Sequence, residues 1–152
     1  MIGTPGLISV TTRARKKVLV LEDEPALMGL LRHTLRQYEV IEATTADEAL
    51  YLFGERRRHI DLLIADMTLP VGSGLRVAFF LRSEIRNLPV IVTSGYPVSS
   101  WSVRDTLDLQ RLGSNSVAFL QKPFQSQELL RLVEILLGES PAEDAKAHRR
   151  NS

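Results

Sequence analysis

The sequence predicts an α/β fold in which a doubly wound, five-stranded parallel sheet carries helices on both faces. Short runs of branched aliphatic residues alternate with longer amphipathic segments five times between about residues 17 and 138, the pattern of strands joined by crossover helices. Polar groups gather directly after four of those five runs, at the edge where the carboxyl ends of parallel strands meet their loops. With 152 residues, 44% of them hydrophobic, the chain is long enough for one domain with a substantial core and short for two.

Residues 1–16 mix glycine, proline and hydroxyl residues with the basic cluster Arg13, Arg15 and Lys16, and show no sustained period. They are expected to form a flexible tail. Val18–Leu21 reads as the first strand, and Pro25 suits the first turn of a helix whose Leu27, Leu30, Leu31 and Leu35 fall at helical spacing. Val40 and Ile41 mark a second strand. Thr45 and Glu48 then form a capping box before Ala49, Leu52 and Phe53. The run from Ile60 to Ala65 is the third strand, and Leu75, Ala78 and Phe79 belong to the helix after it. Val90–Val92 and Val117–Leu120 are the last two strands. Between them, residues 97–112 carry a weak helical stripe and are expected to be helical. Leu129, Leu130, Val133, Leu136 and Leu137 define the final helix, which Gly138 stops. Residues 139–152 are polar and free of aromatics, a second flexible tail, leaving 17–138 as the folded domain.

Nineteen basic and 18 acidic residues give a net charge of +1, so no global field favours nucleic acid or an acidic membrane surface. The absence of cysteine excludes disulfides and thiolate chemistry, and His33, His59 and His148 are too scattered to form a local metal motif. No apolar run reaches the roughly 18 residues of a membrane helix, and Met1–Lys17 lacks the apolar stretch of a signal peptide. A cytoplasmic protein is expected. Arg56-Arg57-Arg58-His59 reads as the exposed end of the second helix, and Trp101 as a packing residue ahead of a partner anchor. The basic stretch Ala147–Arg150 is too short for a nucleic-acid footprint.

The strand ends carry the chemistry. Glu22-Asp23-Glu24 follows the first strand, Asp66 ends the third, Ser94 the fourth, and Lys122-Pro123 the fifth. Clustered carboxylates repel one another unless a cation is present. A magnesium ion, or manganese, accepts one or two carboxylates and leaves sites for water and phosphate oxygens. Asp66 would then be placed as a nucleophile on phosphorus, with Ser94 and Lys122 binding the phosphoryl oxygens. Glu24, at the helix start, reads as a solvated carboxylate, and Gly72 and Gly74 as residues that permit the loop's backbone conformation.

Val18-Leu-Val-Leu-Glu-Asp-Glu-Pro25, Asp61-Leu-Leu-Ile-Ala-Asp-Met-Thr-Leu-Pro70, Val90-Ile-Val-Thr-Ser-Gly-Tyr96 and Phe119-Leu-Gln-Lys-Pro-Phe124 stand in an order and spacing that resembles the receiver domain of bacterial two-component response regulators. The resemblance covers about residues 17–138 and implies the flavodoxin-like receiver fold. It also implies that a histidine kinase or histidine phosphotransfer protein donates a phosphoryl group to Asp66. Asp23 and Asp66 would be direct metal ligands, joined by the backbone carbonyl of Thr68 and by Glu22 through water. Ser94 and Lys122 would bind the phosphoryl group, Pro123 would follow a cis peptide bond, and Phe119 would be the switch aromatic, without the hydroxyl a tyrosine would bring. The protein would be a phosphorelay switch of a protein–protein interaction surface and no classical enzyme, its chemistry limited to magnesium-dependent self-phosphorylation and dephosphorylation.

Two departures stand out. Ser94 and Lys122 are 28 positions apart, more than is usual in the family, and the extra length falls around the fourth helix. Gln125 stands where a serine or threonine often caps the last helix, with Ser126 expected to take that role. A haloacid-dehalogenase-like phosphatase would require an aspartate at position 68, which is Thr68, and a cap domain. A receiver-like module that dimerises without phosphorylation is the alternative reading, with a homodimer as one arrangement. No DNA-binding domain follows residue 138, and Met1 and the polar end at Ser152 suggest a small complete protein. Ser94-Gly-Tyr96 and Gln121-Lys-Pro-Phe124 resemble the receivers of hybrid histidine kinases.

Overall fold

The computed structural model describes residues 14–56, 59–113 and 115–139. Five strands, β1 (Lys17–Leu21), β2 (Glu39–Ala43), β3 (Leu62–Asp66), β4 (Val90–Ser94) and β5 (Val117–Gln121), pair in parallel in the order β2-β1-β3-β4-β5. Helices α1 (Pro25–Thr34), α2 (Ala46–Glu55), α3 (Gly74–Glu84), α4 (Val103–Leu112) and α5 (Ser126–Leu136) form the crossovers and the final layer. The chain winds outward from β1 to β2 and then returns to lay β3 on the other flank. That reversal opens a crevice at the carboxyl ends of β1 and β3.

The period-2 alternation of strand side chains divides the core into two layers. Val18, Val20, Leu62, Ile64 and Ile91 face α1 and α5 through Met28, Leu31, Leu129 and Val133. Leu19, Leu21, Leu63, Ala65, Val90 and Val92 face the other side through Ala49, Phe53, Leu75, Ala78 and Leu112. Strand β3 is buried along its whole length, so its register against β1 and β4 is fixed from both sides. No helix among the described residues is long and apolar enough to cross a membrane.

Local sequence explains most helix starts. Pro25 occupies the first turn of α1. Thr45 accepts the Glu48 N–H at 3.0 Å, while the Glu48 carboxylate reaches back to the Thr44 N–H at 2.8 Å, one residue before the expected partner. Two expectations need correcting. The 97–112 segment is not one helix: Val98–Ser100 forms a 3-10 turn, Trp101 interrupts the chain, and Ser102 then caps α4 by accepting the Asp105 N–H. Ser126 does not cap α5 but is its first residue; Gln125 holds the cap position and makes no side-chain cap hydrogen bond.

Residues 1–13 and 140–152 of the expected tails lie outside the described residues, as do Arg57 and Arg58. Arg15, Lys16 and Glu139, by contrast, are held: Lys16 donates to the Leu137 carbonyl, and Tyr38 donates to Glu139.

Candidate functional site

The rigid aliphatic stretch of β3 ends by presenting Asp66, 3% exposed, at the floor of a cleft of about 540 Å³. Glu22 follows β1 and is 2% exposed, whereas Asp23 beside it is open to solvent. Carboxylate oxygens of Glu22, Asp23 and Asp66 lie within 4.8 Å of one another. Lys122, just past β5, drives its ammonium between two of them, 2.7 Å from Glu22 Oε1 and 2.8 Å from Asp66 Oδ2. The remaining oxygens accept backbone hydrogens: Glu22 Oε2 from the Glu24 N–H at 3.0 Å and Asp66 Oδ1 from the Thr68 N–H at 2.9 Å. Both buried carboxylates are thus oriented from two sides, by a charge and by the main chain.

The electrostatics follow from that packing. Burial raises the Glu22 carboxyl above its ordinary value against the hydrogen bond from Lys122, and the nearby Asp66 charge adds to the rise. Burial pulls Lys122 down, but its bonds to Asp66 and Glu22 outweigh that and leave it above the ordinary lysine value. The lysine therefore stays charged and serves as counter-ion to the pair. A donor set of three carboxylates beside a backbone loop is all hard oxygen, which fits magnesium or manganese and suits no soft metal.

Ser94 ends β4, fully buried, and its hydroxyl accepts the Tyr96 N–H at 3.0 Å. It sits one residue past Thr93, the register partner of Asp66. Lys122 is tied to the same place, its N–H donating to the Ser94 carbonyl at 2.8 Å. The Lys122–Pro123 peptide bond is cis. Phe119 pairs with Val92 across the sheet and packs edge-on against Trp101, ring centroids 5.3 Å apart. Thr68 lines the cleft together with Glu24, Gly95 and Tyr96.

Two features escaped the sequence. Glu24 has the exposed side chain expected of a solvated carboxylate, but its N–H also orients Glu22. Gly72 does have a positive φ of 84°, whereas Gly74 is needed for space: a Cβ there would overlap the Asp66 carbonyl oxygen. Gly74 lets α3 start directly against the end of β3, and a steric role of this kind leaves no trace in a linear pattern.

With this geometry in hand, known proteins supply the context. The Brucella ovis polar-differentiation response regulator DivK is 29% identical over 130 residues, spanning 82% of this chain and 98% of its own. The structure of the Vibrio cholerae chemotaxis protein CheY4 matches with a TM-score of 0.68 at 26% identity, over 81% of this chain and 99% of that one. The receiver domain of the hybrid histidine kinase CckA matches with a TM-score of 0.64 at 31% identity, over 80% of this chain and 98% of that one. The family model of the response regulator receiver domain matches residues 18–134, and the chain belongs to that family of two-component signalling domains.

Proposed function

We propose that Asp66 is the phosphoacceptor of a phosphorelay and that its modification switches a protein-interaction surface. The observation that carries this reading is the Lys122 ammonium bonded at once to Glu22 and Asp66 at the mouth of a buried strand. An Asp66 carboxylate oxygen attacks the phosphorus of a partner's phosphohistidine. The O–P bond forms as the P–N bond breaks, the electron pair returns to the imidazole nitrogen, and water later cleaves the acyl phosphate. Asp23, Asp66 and the Thr68 carbonyl, with Glu22 through water, would hold magnesium or manganese, which supplies charge neutralisation for the entering phosphoryl oxygens. Lys122 keeps one positive charge on the same oxygens, and Ser94 has a hydroxyl hydrogen to donate to them.

The donor is a histidine kinase or a histidine phosphotransfer protein. Its seat is the groove of about 560 Å³ lined by Ala26, Leu27, Leu30, Pro123 and Phe124, which shares Glu24, Gly95 and Lys122 with the acidic cleft. An apolar groove continuous with the reacting carboxylate suits a helix that carries the phosphohistidine. Intact mass after incubation with acetyl phosphate and magnesium tests the acceptor. A single phosphoryl adduct on the wild type, absent in Asp66→Asn, is expected; equal labelling of the variant would refute the assignment.

A further inference from the structure

In a parallel sheet with crossover helices, strands begin and helices end at the same edge of the molecule. Here that edge is basic. Arg36 follows the end of α1, Arg56 caps the end of α2, Arg86 follows α3, and Arg111 lies in the last turn of α4. Helix α5 has no basic residue in its last turn, and Lys16 supplies one from outside, donating to the Leu137 carbonyl at 3.0 Å. Arg15 lies on the carbonyls of Arg36 and Tyr38. At the opposite edge Glu22, Asp23 and Asp66 follow or end strands, and Asp47 and Glu48 open α2. Helix ends account for part of this polarity, because a cation offsets the partial negative charge there, but half a charge per helix does not absorb a whole one. Among the described residues Arg15, Arg36, Arg86 and Arg111 bond to no carboxylate, and all are exposed. Glu39, Asp61 and Glu139 at the same edge are taken up by Arg56, the Lys17 N–H and the Tyr38 hydroxyl. Glu55, Glu84 and Glu134 are outnumbered by the unpaired arginines.

We propose that the amino edge of the sheet is a peripheral docking surface for an anionic phospholipid bilayer. Its unpaired arginines come from the chain before β1 and from the ends of α1, α3 and α4, on both faces of the sheet, so no single groove gathers them. A plane of phosphate groups can meet such a spread at once. A nucleic-acid strand is held instead by cations along a groove and by exposed aromatic rings on which bases stack. Tyr38, the aromatic of this edge, is buried, whereas Ile135, 59% exposed in the last turn of α5, offers an apolar contact of the kind a bilayer accepts. A strand of five residues spans about 16 Å. The acidic cleft therefore lies at the far edge, and repulsion of its carboxylates by the same anionic surface keeps it turned toward water. The proposal does not depend on which residue accepts a phosphoryl group.

Sedimentation of the full chain with vesicles tests this. Phosphatidylcholine vesicles containing phosphatidylglycerol should bind it at about 0.1 M salt and release it at about 0.5 M, as screening requires. Vesicles of phosphatidylcholine alone should not bind it. Arg36→Glu and Arg86→Glu sit at the ends of helices on opposite faces of the sheet, and each should weaken binding roughly ten-fold or more, since one cation near an anionic surface is worth about five-fold and reversal counts twice. Arg76→Glu makes the same change of net charge in the first turn of α3, at the carboxyl edge, and should leave binding unchanged. All three side chains are exposed, so each variant should keep the wild-type circular dichroism spectrum. No binding to the anionic vesicles, equal binding to the neutral ones, or an equal loss in Arg76→Glu overturns the proposal. Tighter binding to a DNA duplex than to the anionic vesicles at the same salt also overturns it, and assigns the edge to nucleic acid.

Discussion

Lys122 is the counter-ion of two carboxylates that are each 3% exposed or less, and this sets the cost of removing it. In Lys122→Gln, Glu22 and Asp66 face each other across a few ångströms with no cation between them. Breaking a buried ion pair costs 3–5 kcal/mol, and because Lys122 is one-fifth exposed the expected loss is roughly 1–3 kcal/mol at pH 7. The sign with pH is fixed by the two shifts. Lys122 titrates above its ordinary value of 10.5, so its contribution is complete below that pH and fades as pH rises through the raised value. Glu22 titrates above its ordinary 4.5, so the fold holds its proton more tightly than the unfolded chain, and the cost of ionising it appears as pH rises through the raised value. Urea midpoints of wild type and variant should therefore converge in acid and separate toward neutrality. A constant gap across that range would show that Lys122 acts by packing alone. The carboxylates, hydroxyl and lysine were legible in the sequence because each sits directly after an apolar run, and strand ends are where a parallel sheet gathers its functional groups. The Ser94–Tyr96 bond was not, because a rotamer choice is set by tertiary surroundings.

At the scale of elements, α4 is held by a side chain from another helix. Arg82 of α3 donates to the carbonyls of Leu88, Leu112 and Asn115 at 2.9, 2.8 and 2.5 Å, joining the end of α3 to both ends of the turn between α4 and β5. Burial lowers its pKa, yet arginine remains charged, and its planar fork satisfies acceptors that lysine could not span together. Arg82→Ala should cost roughly 1–3 kcal/mol, since it leaves carbonyls without their charged donor. Hydrogen exchange should rise across residues 103–116 and remain unchanged in β1 and β3. Uniform acceleration throughout the chain would instead mark Arg82 as a general core residue. Strands and helices could be read from periodicity, and the capped start at Thr45 and the proline start at Pro25 from local chemistry. The break at Trp101 could not, since 97–112 holds a continuous but weak stripe, which the Val98–Ser100 turn, the Ser102 cap and the indole's attachment to Tyr96 and Phe119 together divide. Gln125 shows the opposite error: a plausible neighbouring serine did not move the helix start, because the hydrophobic face of α5, through Leu129 and Val133, fixes where the helix lies.

Across the whole molecule, the two ends of the described chain meet at the edge of the sheet away from the acidic cleft. Arg15 donates to the carbonyls of Arg36 and Tyr38, Lys16 to that of Leu137, and the Tyr38 hydroxyl donates to Glu139 at 2.7 Å. Tyr38 is 5% exposed, and burial, reinforced by the bond to Glu139, raises its pKa well above the ordinary tyrosine value. The hydroxyl's contribution is thus complete below the ordinary value of 10 and is lost as pH rises through the raised one. Tyr38→Phe keeps the ring in the core and removes only this bond. Water can solvate the partly exposed Glu139 left behind, so the expected loss is about 1 kcal/mol at pH 7, shrinking in strong alkali. Because Lys16 and Tyr38 lie by the amino ends of β1 and β2 while Asp66, Ser94 and Lys122 lie at carboxyl ends, the variant should take up phosphoryl from acetyl phosphate at the wild-type rate. A lowered urea midpoint with unchanged labelling would establish that closure of the chain ends and chemistry at the cleft are separate properties of the sheet's two edges. Labelling that falls in step with stability would show that the edges communicate through β1.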